Sequence, residues 1–389
     1  ADISLISTSR LLAMTMSRPN YKMSNMKDFI LTALIVGIPM LVIIAESETG
    51  SALVYVGFIF VLYRNGLSGW FLGAIGLSIL LFITTMLYSP YVSIVLLITI
   101  ISFINALQNG NVIKWTLIYG AIFIFLCFLP RLWHILVNTL VPGAAAITDT
   151  TDITVLNTIK AGAKCFFLTK IEPIMILLGA CVLSLPYFLV KALQSKGKLM
   201  LISVGTFIAG IILTFSVDII FNKVLQDHQR GRIEVLLGMR DDPTGLGYNV
   251  NQSKIAIGSG GLLGKGFLNG TQTTYGFVPE QSTDFIFCTV GEEWGFVGCA
   301  VVILLYVFLI WRILHDAENC RESFTRTYGY CVASCIFMHL FINIGMTIGL
   351  MPVIGIPLPL LSYGGSSLWA FTVLIFIFIA LYREEKKYF

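Results

Sequence analysis

Apolar residues gather in runs near 20 long, separated by short polar stretches, and this rhythm organises the chain. The runs occupy residues 28–45, 51–63, 67–88, 92–107, 112–140, 172–193, 199–224, 291–314, 327–350 and 362–381. A helix needs about 20 residues to cross a hydrocarbon core of ~30 Å, so these lengths predict membrane-spanning helices. Residues 1–16 read as an eleventh span, and 51–63 is short enough to be tilted, broken or re-entrant. Strands of a transmembrane barrel alternate apolar and polar residues, which these runs do not. The pattern predicts an all-α, polytopic transmembrane helical bundle of about 10–11 spans.

Composition agrees: 57 % of residues are hydrophobic and the mean hydropathy is +0.86, where soluble domains carry roughly 45–50 % apolar residues. Charge then supplies an orientation. Taking loops alternately, one set holds Arg18, Lys22 and Lys27; Arg64; Lys114; Lys191, Lys196 and Lys198; Arg312, Arg321 and Arg326; and Arg383, Lys386 and Lys387. The short loops of the other set, 46–50, 88–90 and 351–361, hold no Lys or Arg. Basic residues mark the cytoplasmic side, so the C-terminus is expected to be cytoplasmic and the long segment 226–290 extracytoplasmic. The net charge of +4 adds nothing beyond this bias and points to no nucleic acid. The eight cysteines are scattered without metal-ligand spacing; Cys331 and Cys335, on one helix face, read as small packing residues. No cleavable signal peptide is present, and the chain opens on Ala1 in mid-helix, so an incomplete N-terminus is expected.

Two further segments exceed ordinary loop lengths. Residues 141–171 are polar and Thr-rich, without a catalytic pattern. Residues 226–290 are too rich in Phe, Tyr, Leu and Ile to be disordered, and long loops that hold structure are usually functional. They contain Arg230 and Arg232, a Gly-rich centre (Gly258, Gly260, Gly261, Gly264, Gly266) with Lys254 and Lys265, and then the stretch FVPEQSTDFIFCTVGEEWGF. That stretch places Glu280, Asp284, Glu292 and Glu293 among aromatic residues in a chain only 12 % charged. The glycines allow close backbone approach, and free N–H groups there would suit an anion; a plain flexible turn is the simpler reading.

Three segments in order, GYNVNQSKIAIGSGGLLGKGFLNGTQ, FVPEQSTDFIFCTVGEEWGFVG and NIGMTIGLMPVIGIPLPLLSYGGSSL, resemble the signature segments of the SEDS family, RodA type. The resemblance covers the last 190 residues densely and the first 66 loosely. It implies a membrane glycosyltransferase that polymerises lipid II into peptidoglycan. The organisation is then 1–66 as partial N-terminal family helices, 67–193 as additional helices with no good match, and 194–389 as the core, with 226–290 as the catalytic loop.

By resemblance, Asp284 of the PExxTDFIF motif is the catalytic carboxylate. Beside Phe285 and Phe287 it would be partly desolvated, which raises its pKa toward that of a useful base. Capping the next helix is the alternative reading. Arg232, Lys254 and Lys265 match basic positions and suit a diphosphate, while a solvated loop charge remains open for each. Glu280, Thr283, Glu293 and Ser362 are candidate substrate contacts. Glu292 and Glu293, at a helix start, also suit the helix dipole. Asp284 with Glu280 would hold Mg²⁺ or Mn²⁺ shared with the diphosphate.

The chain also departs from the family. Members carry three further helices before QPSEFAK, where Asp2 stands here at the Glu position and Leu5 at the Lys position. QPDxGTA is replaced by AESETGSA, with Glu48 at the Asp position. The resemblance implies lipid II and the growing glycan strand as ligands in a bacterial inner membrane. It also implies a class B penicillin-binding protein as partner, expected along 291–314 and 327–350 through Gly295, Gly298, Ala300, Gly329, Ala333, Ser334 and Gly345. Two alternatives stay open. One is a lipid II flippase, for which Asp218, Arg131 and His339 are the few intramembrane candidates; the other is a weakly active scaffold for that partner.

Overall fold

A computed structural model of the chain describes residues 2–108 except 24, 47 and 89; residue 125; 198–239 except 220, 222–224 and 226; 245; and 247–388. The predicted spans 112–140 (residue 125 aside) and 172–193, and the segment 141–171, lie outside them. The described residues form helices and no strand: α1 (Asp2–Met16), α2 (Met26–Ala45), α3 (Thr49–Tyr55), α4 (Phe58–Arg64), α5 (Gly69–Leu87), α6 (Pro90–Gln108), α7 (Lys198–Ile219), α8 (Asp227–Leu236), α9 (Tyr248–Gly260), α10 (Thr271–Thr274), α11 (Ile286–Glu318), α12 (Ser323–Thr347) and α13 (Gly365–Tyr388). Five of them, α2, α5, α11, α12 and α13, are long and apolar enough to cross a membrane. The chain divides into two units, one of Ala74–Gln226 and one of Ala1–Gly73 with Asp227–Phe389. The sequence reading placed its boundaries at 66 and 193 instead.

In the second of these units α12 is the hub. Its apolar window is 83 % buried, against 17 % for α11, and it packs on α1, α3, α4, α9, α11 and α13. The core around it joins Leu12 and Ala13 of α1, Tyr55 of α3, Phe58 of α4, Ile336 of α12 and Phe371 of α13. Small residues let the neighbours approach closely. A Cβ on Gly329 would lie 2.6 Å from Phe378, and one on Gly345 would lie 3.0 Å from Met351. Ala333 and Ser334 are buried too, and the Ser334 hydroxyl donates to Gly57 O at 2.6 Å. This overturns the expectation that these four residues present a surface to a partner: they serve contacts within the chain.

In the other unit, α5 and α6 are tied by Thr84 and Thr85 hydroxyls meeting Ser93, and α7 packs on α6, with Gly210 under Leu97.

Two apolar stretches that the hydropathy pattern gives as single runs are broken. Residues 51–63 split into α3 and α4 at Val56 and Gly57, where α12 crosses so closely that a Gly57 Cβ would lie 2.3 Å from Met338. Tight backbone bonds bridge this break, Gly57 N to Val54 O at 2.9 Å and Phe60 N to Gly57 O at 3.0 Å, and the Ser334 hydroxyl adds a second donor to Gly57 O. The second break is inside α11, at Gly295 (φ 65°, ψ −160°). A helix broken there loses partners for the carbonyls before the break and the amides after it. Residues 261–266 supply them. Phe296 N donates to Gly261 O at 2.9 Å and Val297 N to Leu262 O at 3.1 Å, while Lys265 N donates to Glu292 O at 3.0 Å and Gly266 N to Glu293 O at 2.9 Å.

This corrects the sequence reading of the Gly-rich centre. Gly258 and Gly260 belong to α9, and the amides of residues 264–266 are bonded to carbonyls rather than free for an anion. The glycines are there for proximity. Added Cβ atoms would lie 2.0 Å from Gly291 O at Gly260, 2.1 Å from Glu293 O at Gly264 and 2.4 Å from Gly264 N at Gly295.

Gly264 and Gly276 provide the test, since both have positive φ, +79° and +69°, but only Gly264 is hemmed in. Gly276→Ala should cost about the 1–2 kcal/mol of a left-handed non-glycine residue. Gly264→Ala should cost distinctly more, because backbone at 2.1 Å must also move. Thermal unfolding in detergent orders the two variants.

Candidate functional site

Residues 348–364, between α12 and α13, form no helix, and Pro352, Pro357 and Pro359 remove the amides that one would need. This strap is held from several sides. Arg232 of α8 donates Nη1 to Val353 O at 2.6 Å. Gly50 of α3 packs against Ile354 and Ile356, with its Cβ position 2.7 Å from Ile354 O. Asn343 of α12, fully buried, donates Nδ2 to Ile356 O at 2.7 Å and to Asp284 O at 2.8 Å. The Tyr306 hydroxyl of α11 donates to Pro359 O.

Against the strap lies the turn 280–285. Glu280 sits at φ +52° and its carbonyl accepts the amides of Thr283 and Phe285, both at 3.2 Å. The Thr283 hydroxyl donates to the Glu280 carboxylate at 3.0 Å. Ser362 Oγ donates to Thr283 O at 2.6 Å and accepts Leu358 N at 2.7 Å, and Tyr363 N donates to Ser282 O at 2.8 Å. Ser362 therefore fastens the turn to the strap.

Asp284 is the product of that arrangement. It is half-buried, and Phe285, not Asp284, occupies the N-cap of α11, without a side-chain cap. Its carboxylate faces Gly355 (φ +71°), where a Cβ would lie 3.2 Å from Oδ2. Burial, and secondarily the charge of Glu280, hold the Asp284 carboxyl above the ordinary aspartate range. Two residues along the strap, Val353 lines a cavity of about 70 Å³ with Arg232, Asn251, Lys254 and Gly349. Lys254 lies across Gly349, its Nζ 2.5 Å from the Cβ position, and among the described residues it makes no hydrogen bond or ion pair. The Asp284 carboxylate thus faces the strap two residues from a cavity lined by two cationic side chains, Arg232 and Lys254.

The other expected residues fall differently. Glu48 is exposed at the start of α3, two residues before the Gly50 contact with the strap. Asp2 opens α1, whose Ser4 shares a hydrogen bond with the Tyr55 hydroxyl of α3 at 2.7 Å. Lys265 and Glu293 are at the break in α11, not at the acid turn. Lys265 Nζ donates to Glu292 Oε1 at 2.8 Å and to Thr271 Oγ1 at 2.7 Å, and Glu293, 8 % exposed, accepts Gly266 N on its carbonyl.

Glu292, of which the sequence suggested only a helix-start charge, is fully buried. It also accepts Gln272 N, Thr273 N and Thr273 Oγ1, each at 2.9 Å. It is a latch between α10 and α11. Asn343 was missed altogether; an Asn in an apolar run, just before a Gly-rich turn, was the available signal. Among the described residues no three His, Cys, Asp or Glu side chains are grouped to hold a metal. Asp284 and Glu280 lie close enough for the charge of Glu280 to act on the Asp284 carboxyl.

A multi-pass helical membrane protein with a fastened acid turn beside a cationic cavity is the class these features define. The chain belongs to the FtsW/RodA/SpoVE family, described as "Cell cycle protein", whose model matches residues 163–387. Its apolar helices and this membership make it a multi-pass inner-membrane protein. It is 42 % identical over 179 residues to the peptidoglycan glycosyltransferase MrdB of Escherichia coli (strain K12), covering 46 % of this chain and 48 % of that one. It is 41 % identical over 165 residues to the peptidoglycan glycosyltransferase RodA of Treponema pallidum (strain Nichols), covering 42 % and 38 %. The chain thus spans about half the length or less of these curated relatives. A solved structure described as "Structural coordination of polymerization and crosslinking by a peptidoglycan synthase complex" aligns with a TM-score of 0.36 at 23 % identity, over 86 % of this chain and 96 % of that one.

The latch has a measurable weight. Removing one member of a buried ion pair typically costs about 3–5 kcal/mol, which is the loss expected for Glu292→Ala. Lys265→Met should cost less, because the lysine side chain is 27 % exposed and Glu292 keeps its amide donors. Thermal unfolding of the two variants and their double mutant gives the coupling.

Proposed function

We propose that this chain is a peptidoglycan glycosyltransferase that polymerises lipid II during cell elongation, with Asp284 as general base. The observation that carries the reading is the Asp284 carboxylate, half-buried on a fastened turn and facing Gly355, beside a cavity bearing Arg232 and Lys254. In the reaction a sugar 4-hydroxyl attacks the anomeric carbon of the other substrate. Asp284 takes the hydroxyl proton, the new C–O bond forms, and the bond to the lipid diphosphate breaks with its electron pair on the departing oxygen. Arg232 and Lys254 suit the charge left on that diphosphate. Mg²⁺ or Mn²⁺ would add charge neutralisation while held by Asp284 and Glu280 together with the diphosphate. Chelation in the assay below reads that requirement.

Segment 226–290 would face outward and the C-terminus the cytoplasm, as the basic loops suggest. The relatives' names speak for glycan extension and do not mention cross-linking. A class B penicillin-binding protein as partner is therefore part of the proposal. With the small residues of α12 buried, its transmembrane helix would meet the exposed face of α11, where Val301, Leu304, Leu305 and Phe308 recur at three- and four-residue spacing.

Asp284→Asn should abolish glycan polymer from labelled lipid II on a gel while expression and membrane insertion persist. Its thermal stability should be equal or higher: a raised carboxyl pKa means that the charged form is disfavoured in the folded state, so stability is lost as pH rises through that value. Undiminished polymer from the Asn variant overturns the assignment.

The pH profile makes a second test. The base must be ionised, so activity should fall as pH drops through an apparent pKa above that of an ordinary aspartate. Glu280→Gln removes a charge that raises this pKa, so the acid limb should move to lower pH. An acid limb that stays in place, or moves upward, assigns the titration to another group.

A further inference from the structure

Segment 261–270 carries an apolar patch that the reaction proposed above does not use. Leu262, Leu263, Phe267 and Leu268 are 72 %, 80 %, 67 % and 68 % exposed. They lie next to Trp294 and Phe296 of α11, 54 % and 66 % exposed, and the Phe267 and Trp294 rings are 6.4 Å apart. Six large apolar side chains on one surface require an occupant.

We infer that this segment is a wedge that inserts its apolar side chains among the acyl chains of the membrane leaflet at that end of α11. Three observations select lipid. The first is position. From the break at Gly295 to the end of α11 at Glu318 the helix runs for about 35 Å at ~1.5 Å per residue, close to the ~30 Å of a hydrocarbon core. The far end carries Arg312, and Arg321 follows it, so the break falls at the opposite boundary of the bilayer. Trp294, Phe296 and Phe267 then stand at the level where aromatic side chains collect.

The second is satisfaction of the backbone. Irregular chain enters hydrocarbon only when its polar groups are bonded within the protein. At the base of the wedge the amides of Gly264, Lys265 and Gly266 and the carbonyls of Gly261 and Leu262 are bonded, to Gly260 and to α11 around its break, which leaves the backbone of the tip at the interface, where headgroups and water reach it, while the side chains insert. The third is charge. The segment's one charged side chain, Lys265, is turned back onto Glu292 and Thr271, so that its apolar edge carries no exposed charge. The patch also runs without interruption into Val297 and Val301, exposed on the membrane-spanning part of α11. None of this depends on what reaction the chain performs.

The test is nitroxide labelling of Leu263→Cys and of Phe267→Cys in the full-length protein, in nanodiscs of phosphatidylethanolamine and phosphatidylglycerol. Ile38→Cys on α2, 55 % exposed within a membrane-spanning helix, is the lipid reference and Lys387→Cys the aqueous one; parent protein treated with the same label gives the baseline. Power saturation compares access to oxygen, which concentrates in acyl chains, with access to a water-soluble nickel chelate. Positions 263 and 267 should approach 38, with an oxygen-to-nickel ratio severalfold above that at 387. A ratio like that at 387 would place the segment in water and overturn the inference. A strongly immobilised spectrum with access to neither reagent would overturn it too, in favour of a second copy or a partner chain covering the patch.

Discussion

Everything in the larger unit depends on one constraint: a backbone polar group in a low-dielectric interior must be bonded or costs about 2 kcal/mol or more. Breaking α11 at Gly295 frees carbonyls at 292 and 293 and amides at 296 and 297, and segment 261–266 answers all four. That answer sets the rest. It fixes α9 against α11 through Gly260, brings Lys265 onto Glu292, and lays α10 with its amides on the same carboxylate. The part of α11 before the break is held by these contacts, and with it the turn that carries Asp284. The break between α3 and α4 is met locally instead, by bonds from Gly57 N to Val54 O and from Phe60 N to Gly57 O, with the Ser334 hydroxyl as an added donor.

The acid turn follows from the same rule applied to side chains. Neither the turn nor the strap has a helix to bond its backbone, so Asn343, Ser362, Tyr306 and Arg232 do it individually. Such arrangements hold uncommon conformations: Glu280 and Leu360 have φ of +52° and +65° without being glycine. Strain of this kind persists where the surroundings over-determine it, and it gathers at functional sites. Here the result is a carboxylate that is neither a helix cap nor a member of an ion pair, and whose ionisation is opposed by burial.

What was legible in the sequence was whatever repeats. Runs of apolar residues marked α1, α2, α5, α6, α7, α11, α12 and α13 with ends no more than seven residues off, because membrane thickness imposes a similar length on all of them. A break in 51–63 was among the readings that its short length allowed, though its place at Gly57 was not given; the break at Gly295 was not legible, because it depends on 261–266, a partner distant from α11 in the pattern. The glycines were noticed but misread, since close packing and anion binding require the same absence of a side chain. Lys265 and Glu292 were both visible as charges; that they meet is a fact of tertiary structure. Asp284 was assigned by resemblance, and Asn343, which supports it, was passed over although it stands in an apolar run just before a Gly-rich turn.

The departure at Leu5 acquires a physical meaning from the packing. The residue is 3 % exposed and belongs to the core beside Tyr55 and Ile336. A lysine in the same place would bury its ammonium among apolar side chains, at a cost that shifts its pKa downward or moves the helix. The α1 of this chain is therefore built for packing at that position, not for charge. Lys265 cannot substitute for the missing cation without abandoning Glu292, which would leave a fully buried carboxylate without its counter-charge. Within the proposed site, the positive charge that a diphosphate requires thus falls to Arg232, already oriented by Val353, and to Lys254, which no other group among the described residues holds.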